Sequence, residues 1–346
     1  MKRRGRHNGD KYAQLLNPSR IKSIKTGDKP LVTVIIPAYN AASTINETLT
    51  SVRAQTYRNL EVLVVDDGSD DDTAAIVSEH TIEDCRVRMI NQPNSGVAAA
   101  RNRGIAEARA DLIAPIDADD VWAQTKIEKQ VDALMSNDKI GLVYAWSALI
   151  DEQGNIKGEI AAEHDGIAIQ RICSGNFIGN GSSPLMLKSA ILEAGGYDAG
   201  LRAAAAQGCE DMLLYFRIAE RYQFALVREH LIGYRRHRKA MSRNAPEMLK
   251  SYLIVTDEMR RKYPEYADDI DQGEKSFGFW LFRVALRSLR LDRAVSVLAV
   301  MPHDIRRYSV VKLVRRLFFG TSREIKVRAR DRRDTLKIFR TPSQRG

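Results

Sequence analysis

The chain has 346 residues, 44% of them hydrophobic and 28% charged, which is enough to bury a substantial core in one large domain with an appendage. Its formal net charge of +10 is unevenly placed: residues 1–30 hold nine Lys and Arg against two Asp and Glu, residues 281–346 hold 18 against five, and the body between them is net acidic. An acidic body with basic ends argues against a nucleic-acid enzyme, whose cleft is usually basic, and suits a carboxylate-lined metal site with tails able to meet an anionic surface.

Residues 1–30 read as a basic polar leader, with Lys2, Arg3, Arg4 and Arg6 followed by no apolar run, so no secretory signal is expected. From Leu31 the pattern changes. Val32–Ile36 predicts a buried strand ending at Pro37. Thr44-x-x-Glu47 predicts a capping box for a helix carrying Ile45, Leu49 and Val52. Glu61–Val65 predicts the second strand, and Ser69-x-x-Asp72 a cap for a helix starting near Thr73. Val87–Asn91, a helix over 96–108, the strand Leu112–Ile116, a helix over 123–136 and the strand Gly141–Trp146 follow in alternation. That alternation predicts a mostly parallel, Rossmann-like α/β sheet flanked by helices. Between about 150 and 245 the pattern is less regular, with Gly175–Ser183 reading as a mobile Gly/Asn/Ser-rich loop. After Asn244 the chain predicts a helical, basic C-terminal extension. The domain reading is a leader over 1–30, a catalytic domain over 31–245 and a helical region over 246–346.

Apolar runs are short, as at Val295–Met301, so no span is expected and the chain reads as cytoplasmic. Cys85, Cys173 and Cys209 are odd in number and lack C-x-x-C spacing, which argues against a disulfide framework or a zinc site.

In a parallel α/β sheet, ligands bind at the carboxyl ends of strands, and here four polar clusters fall there. Tyr39-Asn40, Asp66-Asp67, Asn94-Ser95-Gly96 and Asp117-Ala118-Asp119-Asp120 describe one rim of one cleft. Asp117 and Asp119, at alternate positions, can converge on Mg²⁺ or Mn²⁺; the competing reading is a solvated acidic turn. Asp66 and Asp67 can accept hydrogen bonds from a nucleobase or ribose, and Asp-Asp-Gly-Ser equally suits a plain turn. Tyr39 can stack on a base or simply pack. Gly96 opens a helix whose start favours anions, and Arg101 can pair with a phosphate or with a carboxylate. Glu210-Asp211 offers a general base, or an acidic helix start favoured by the dipole. Within Tyr234-Arg235-Arg236-His237, the histidine can ligate a metal and an arginine can grip diphosphate; the alternative is a surface basic patch.

Seven segments in order resemble family-2 glycosyltransferases of the GT-A fold: V-T-V-I-I-P-A-Y-N at 32–40, V-V-D-D-G-S-D-D-D-T at 64–73, N-S-G-V-A-A-A-R-N-R-G-I at 94–105, D-A-D-D at 117–120, G-G-Y-D at 195–198, E-D at 210–211 and Y-R-R-H at 234–237. The resemblance implies a nucleotide-sugar donor lying over Pro37, Tyr39, Asp66, Asp67, Asn94, Gly96, Arg101, Asp117, Glu210 and His237. It implies a cation held by Asp117, Asp119 and His237, with Asp120 able to substitute in the acidic run, and Asp211 as the catalytic base. The implied reaction is metal-dependent, inverting hexosyl transfer, with a UDP-sugar the default donor and a glycan or lipid-linked saccharide the acceptor, in surface or exopolysaccharide assembly. Processive members carry Q-x-x-R-W and membrane helices; here Y-R-R-H-R stands instead, implying one sugar per encounter. Cys209 replaces a polar residue common before E-D. A nucleotidyltransferase would need a Gly-rich basic loop where P-A-Y-N-A-A stands. An inactive scaffold would have less reason to keep Asp117, Asp119 and Asp211. The basic C-terminal region, with Val310, Val311, Leu313, Val314, Leu317, Phe318 and Phe319 among its cations, reads as a peripheral dock on the inner membrane face; the competing reading packs that apolar face on the catalytic domain and leaves the arginines solvated.

Overall fold

The computed structural model describes residues 29–236, 244–287 and 291–319. Strands β1 (Val32–Ala38), β2 (Leu60–Asp66), β3 (Val87–Asn91) and β4 (Leu112–Pro115) alternate with helices α1 (Ile45–Arg53), α2 (Thr73–Glu83) and α3 (Val97–Glu107). Strands β1, β2 and β4 are buried along their whole length, as strands covered on both faces must be. The pairing β3-β2-β1-β4 is parallel throughout. This half of the sheet is the part the alternating pattern predicts, and its carboxyl ends share one edge.

Beyond β4 the sheet becomes mixed. It continues through β8 (Leu185–Leu187), β6 (Ile140–Ile150), β9 (Gln223–Arg235) and β5 (Val121–Trp122), with β7 (Ile156–Ile160) pairing with β6. Strand β9 runs parallel to β6, and β8, β7 and β5 pair antiparallel to their neighbours. Between these strands lie α4 (Lys126–Met135), α5 (Ile169–Cys173), α6 (Lys188–Glu193), α7 (Gly200–Ala203) and α8 (Glu210–Ala219). Helices α9 (Ala245–Lys262), α10 (Ala267–Arg287), α11 (Leu291–Val300) and α12 (His303–Phe319) follow. One apolar cluster fills the sheet and its helices and takes in Tyr252, Val255 and Met259 of α9. A second, built on Leu249, Leu281, Phe282, Val297 and Ile305, belongs to the C-terminal helices.

Both expected caps take other forms. Thr44 makes no side-chain cap bond; its hydroxyl donates to the Ala41 carbonyl, and Glu47 is held by Arg235. At α2, Asp71 accepts from the Thr73 N–H, while Ser69 donates to Asp66. The helices begin where expected because their apolar faces place them on the sheet, whichever polar group closes their first turn. The loop expected to be mobile at 175–183 is instead packed: Asn180, Ser182 and Ser183 are buried and bonded.

Candidate active site

Parallel strands deliver the first half of the site. Pro37 sits in register with Val65, and Tyr39 follows, 53% exposed. Asn40 adopts φ +49°, a left-handed conformation tolerated by Asn, and its side chain accepts from the Asp70 N–H. Asp66 accepts from the Ser69 N–H and hydroxyl. Asp67 is buried and accepts from Gln92 Nε2 (2.7 Å), Ser95 N–H (2.8 Å) and Gly96 N–H (2.8 Å). The anion at the start of α3 is therefore the chain's own carboxylate, which fixes the β2 end against the β3 end.

Asn94 accepts from Arg202 Nη2 at 2.7 Å. Gly96 takes φ +90°, which residues with a Cβ rarely adopt, and the Arg202 side chain lies over it, 2.8 Å from where a Cβ would stand. Sequence reasoning missed Arg202, an exposed cation beside Asn94 and Gly96, because its partner lies 108 residues away and its short helix carries no motif.

Arg101 is buried and pairs with Asp117, Nη2 to Oδ1 at 2.5 Å. Its guanidinium carbon stands 5.1 Å from the centre of the Tyr197 ring. Burial works against the guanidinium charge, but Asp117 and the nearby Tyr197 and Asp211 outweigh it and hold the pKa above its ordinary value. Asn102, next in α3, closes a reciprocal pair with the Tyr197 main chain, at 2.7 and 2.9 Å. One turn of α3 thus joins the D-A-D-D segment to the G-G-Y-D turn.

The acidic run divides. Asp117 and Asp119 are half-buried, and Asp120 is wholly buried. Asp120 accepts from Ser182 Oγ at 2.5 Å and from the Arg235 N–H at 2.8 Å. Burial, then the charges of Asp119 and Asp117, push its carboxyl well above the usual range. Both oxygens are engaged inside the fold, which leaves Asp117 and Asp119 as the less buried carboxylates of the run.

Helix α8 presents Glu210 and Asp211 in its first turn. Glu210 is buried and reaches back to accept from the Gly208 N–H at 2.9 Å. Asp211 is half-buried, with Asn176 Nδ2 at 3.4 Å from one oxygen and the Met212 N–H at 2.7 Å from the other. Burial pushes its carboxyl up to about 6; Arg101 draws it down and Glu210 raises it. Cys209 is buried facing α9, its N–H donating to Ser251 Oγ and its thiol to the Met248 carbonyl. Cys209 is thus tied to the C-terminal helices. His237 lies outside the described residues.

The model of glycosyl transferase family 2 matches residues 33–193. An uncharacterized glycosyltransferase of Methanocaldococcus jannaschii is 31% identical over 242 residues, covering 68% of this chain and 81% of that one. The chain belongs to glycosyl transferase family 2. It is a glycosyltransferase, with relatives in polysaccharide and lipid-linked saccharide assembly. One relative, the Escherichia coli UDP-Glc:alpha-D-GlcNAc-diphosphoundecaprenol beta-1,3-glucosyltransferase WfgD, is 38% identical over 136 residues, covering 39% of this chain and about half, 52%, of its own length. Among solved structures, the mannosyltransferase PcManGT of Pyrobaculum calidifontis, in complex with GDP-Man and Mn²⁺, superposes with a TM-score of 0.55. That likeness covers 85% of this chain and 89% of the other at 17% identity, and it shows the GT-A fold.

Proposed function

We infer that the chain transfers one sugar, with inversion, from a UDP-sugar to a glycan or lipid-linked saccharide acceptor, using a divalent cation. The observation that carries this reading is the shared position of Arg101. It pairs with Asp117 on the donor side and lies within electrostatic reach of Asp211 on the acceptor side. Two carboxylates of different environment therefore face one centre, Asp117 for the cation and Asp211 for the acceptor proton. Asp211, with a carboxyl raised to about 6, is ionised at neutral pH yet basic enough to take a proton from an acceptor hydroxyl.

The residues fit a hard cation. Asp117 and Asp119 stand at alternate positions after β4, and Asp117 keeps 30% of its side chain exposed. Among the described residues no group of three His, Cys, Asp or Glu gathers at one point. Mg²⁺ or Mn²⁺ needs only one or two protein carboxylates when substrate phosphates and water complete its shell. Bound there, the cation would neutralise the departing diphosphate as a Lewis acid. The chain's own part is to place Tyr39 at the base, to close the β2 and β3 ends through Asp67, and to hold Asp211 beside the acceptor. A Mn²⁺-bound GDP-Man complex of a protein of like fold, and a UDP-Glc-using relative with a lipid-linked acceptor, support this reading.

The test is transfer from a panel of nucleotide-sugars to undecaprenyl-diphosphate saccharides, with the product's anomeric configuration read by NMR. Expected are an inverted linkage, and loss of transfer with chelator or with Asp119→Ala. A retained configuration, or undiminished transfer without metal, overturns the reading.

A further inference from the structure

Arg235 closes β9 with its side chain only 2% exposed. Its Nε donates to the Asp119 carbonyl at 2.8 Å, and its Nη1 to the carbonyls of Asp151 (3.0 Å) and Glu152 (3.1 Å). Its Nη2 donates to Glu47 Oε2 at 2.6 Å. A guanidinium has five N–H donors in a rigid plane, and these bonds take nearly all of them, so this side chain does not reach a diphosphate. What it holds is the acidic turn, gripping Asp119 by its main chain.

The rest of the turn is held in the same manner. The Arg235 N–H donates to Asp120, Ser182 Oγ bridges Asp120 and the Asp117 N–H, and Thr48 Oγ1 donates to the Asp120 carbonyl at 2.8 Å. Val121 and Trp122, just past the turn, pair with Gly233 and Ile232 just before Arg235. Glu47, the residue the capping-box pattern assigns to α1, is instead the counter-charge that orients the guanidinium.

We propose that Arg235 and Glu47 are a positioning pair: the buried fork sets Asp119, and with it the ligand pair Asp117 and Asp119, at the height and angle a cation requires. This rests on the cation reading above. Outer partners that orient metal ligands typically change affinity by roughly 10–100-fold when lost. Lysine would keep the charge but make one contact where the fork makes four, so Arg235→Lys separates geometry from charge.

The experiment titrates Mn²⁺ into the full chain in the presence of UDP, reading unbound Mn²⁺ by its EPR signal, with Tm measured alongside. Arg235→Lys and Glu47→Gln are compared with Leu49→Ala, a buried residue of the same helix that makes no bond to the turn. Arg235→Lys is expected to weaken Mn²⁺ binding by roughly 10–100-fold, and Glu47→Gln by less in the same direction. Leu49→Ala is expected to lower Tm with wild-type Mn²⁺ affinity. Unchanged affinity in folded Arg235→Lys overturns the proposal, and so does an equal weakening in Leu49→Ala. Should Arg235→Lys not fold, Glu47→Gln, whose side chain is 31% exposed, decides by the same readout. A wild-type chain that binds no Mn²⁺ overturns the cation reading itself, whereas wild-type binding with unaffected variants overturns the positioning pair alone.

Discussion

Asp211 has two effects that a single substitution separates. Its carboxyl sits at about 6 against an ordinary 3.8, raised first by burial. A carboxyl raised in the folded state contributes stability that is complete below the ordinary value and is lost as pH rises through about 6. At neutral pH the ionised base therefore strains the fold it serves. Asp211→Asn is expected to be more stable than wild type above about pH 6, by on the order of 1–3 kcal/mol, with the difference vanishing toward pH 4. Its turnover should fall by roughly 10²–10⁴-fold while UDP binding stays. In wild type, kcat/KM should rise with pH up to about 6 and then level. Tm measured across pH with kcat/KM profiles checks both; a variant less stable at neutral pH overturns the raised carboxyl, and one as active as wild type removes Asp211 as the base. Asp211, Asp117 and Asp67 were legible because each sits in a short motif beside an apolar strand or helix. The hold of Arg235 on the acidic turn was not, although Y-R-R-H marks the residue, and neither were Ser182 and Arg202, since their partners lie 188, 62 and 108 residues away.

Among elements, the parallel half was readable because each βα unit repeats one local pattern and places its polar cluster at the strand's carboxyl end. The mixed half was not. Strand β9 has an apolar start, but Arg228-Glu229-His230 interrupts its alternation, and its register against β6 shifts between Ala145 and Ser147. Strand β5 is two residues long and exists only through β9. The packing of α3 on β1 gives a sharp test. A Cβ at Gly104 would lie 2.5 Å from Ile35 Cγ2, so the helix that carries Arg101 and Asn102 sits close only because that position has no side chain. Gly104→Ala is expected to destabilise by about 1–3 kcal/mol through overpacking, despite alanine's better helix propensity. Combined with Ile35→Ala, the loss should be smaller than the two single losses together, since the second change makes room for the first. Strict additivity in urea unfolding would mean that the contact is not the cause.

At the scale of the whole molecule, no helix among the described residues is long and apolar enough to cross a membrane. The C-terminal helices nonetheless divide their apolar residues between two surfaces. Leu313 packs against the second cluster, in which Ile305 of the same helix is buried, so one residue of the apolar set expected to face lipid instead helps hold the helices together. Val310 and Val311 are exposed on the same helix, α12, that carries the exposed Arg306 and Arg307, and Val295 is exposed on α11. The side chains of Val314, Leu317, Phe318 and Phe319 lie outside the described residues. We propose that this basic, partly apolar face rests on an anionic membrane surface, bringing the site to a lipid-linked acceptor. Residues 281–346 hold 18 Lys and Arg against five Asp and Glu, and each basic residue near an anionic surface contributes ~1 kcal/mol. The full chain should co-sediment with phosphatidylserine-rich vesicles more than with phosphatidylcholine vesicles, and binding should weaken as salt shortens the electrostatic range. Arg307→Glu is expected to reduce binding by roughly fivefold or more, and Val310→Ser with Val311→Ser to reduce the part that salt does not remove. Transfer to a short water-soluble acceptor should be unchanged in both variants, because neither touches the strand ends. Equal sedimentation with neutral and anionic vesicles, or wild-type binding by both variants, would assign these residues to the solvated outer face of a helical bundle and leave the acceptor to find the site without the membrane's help.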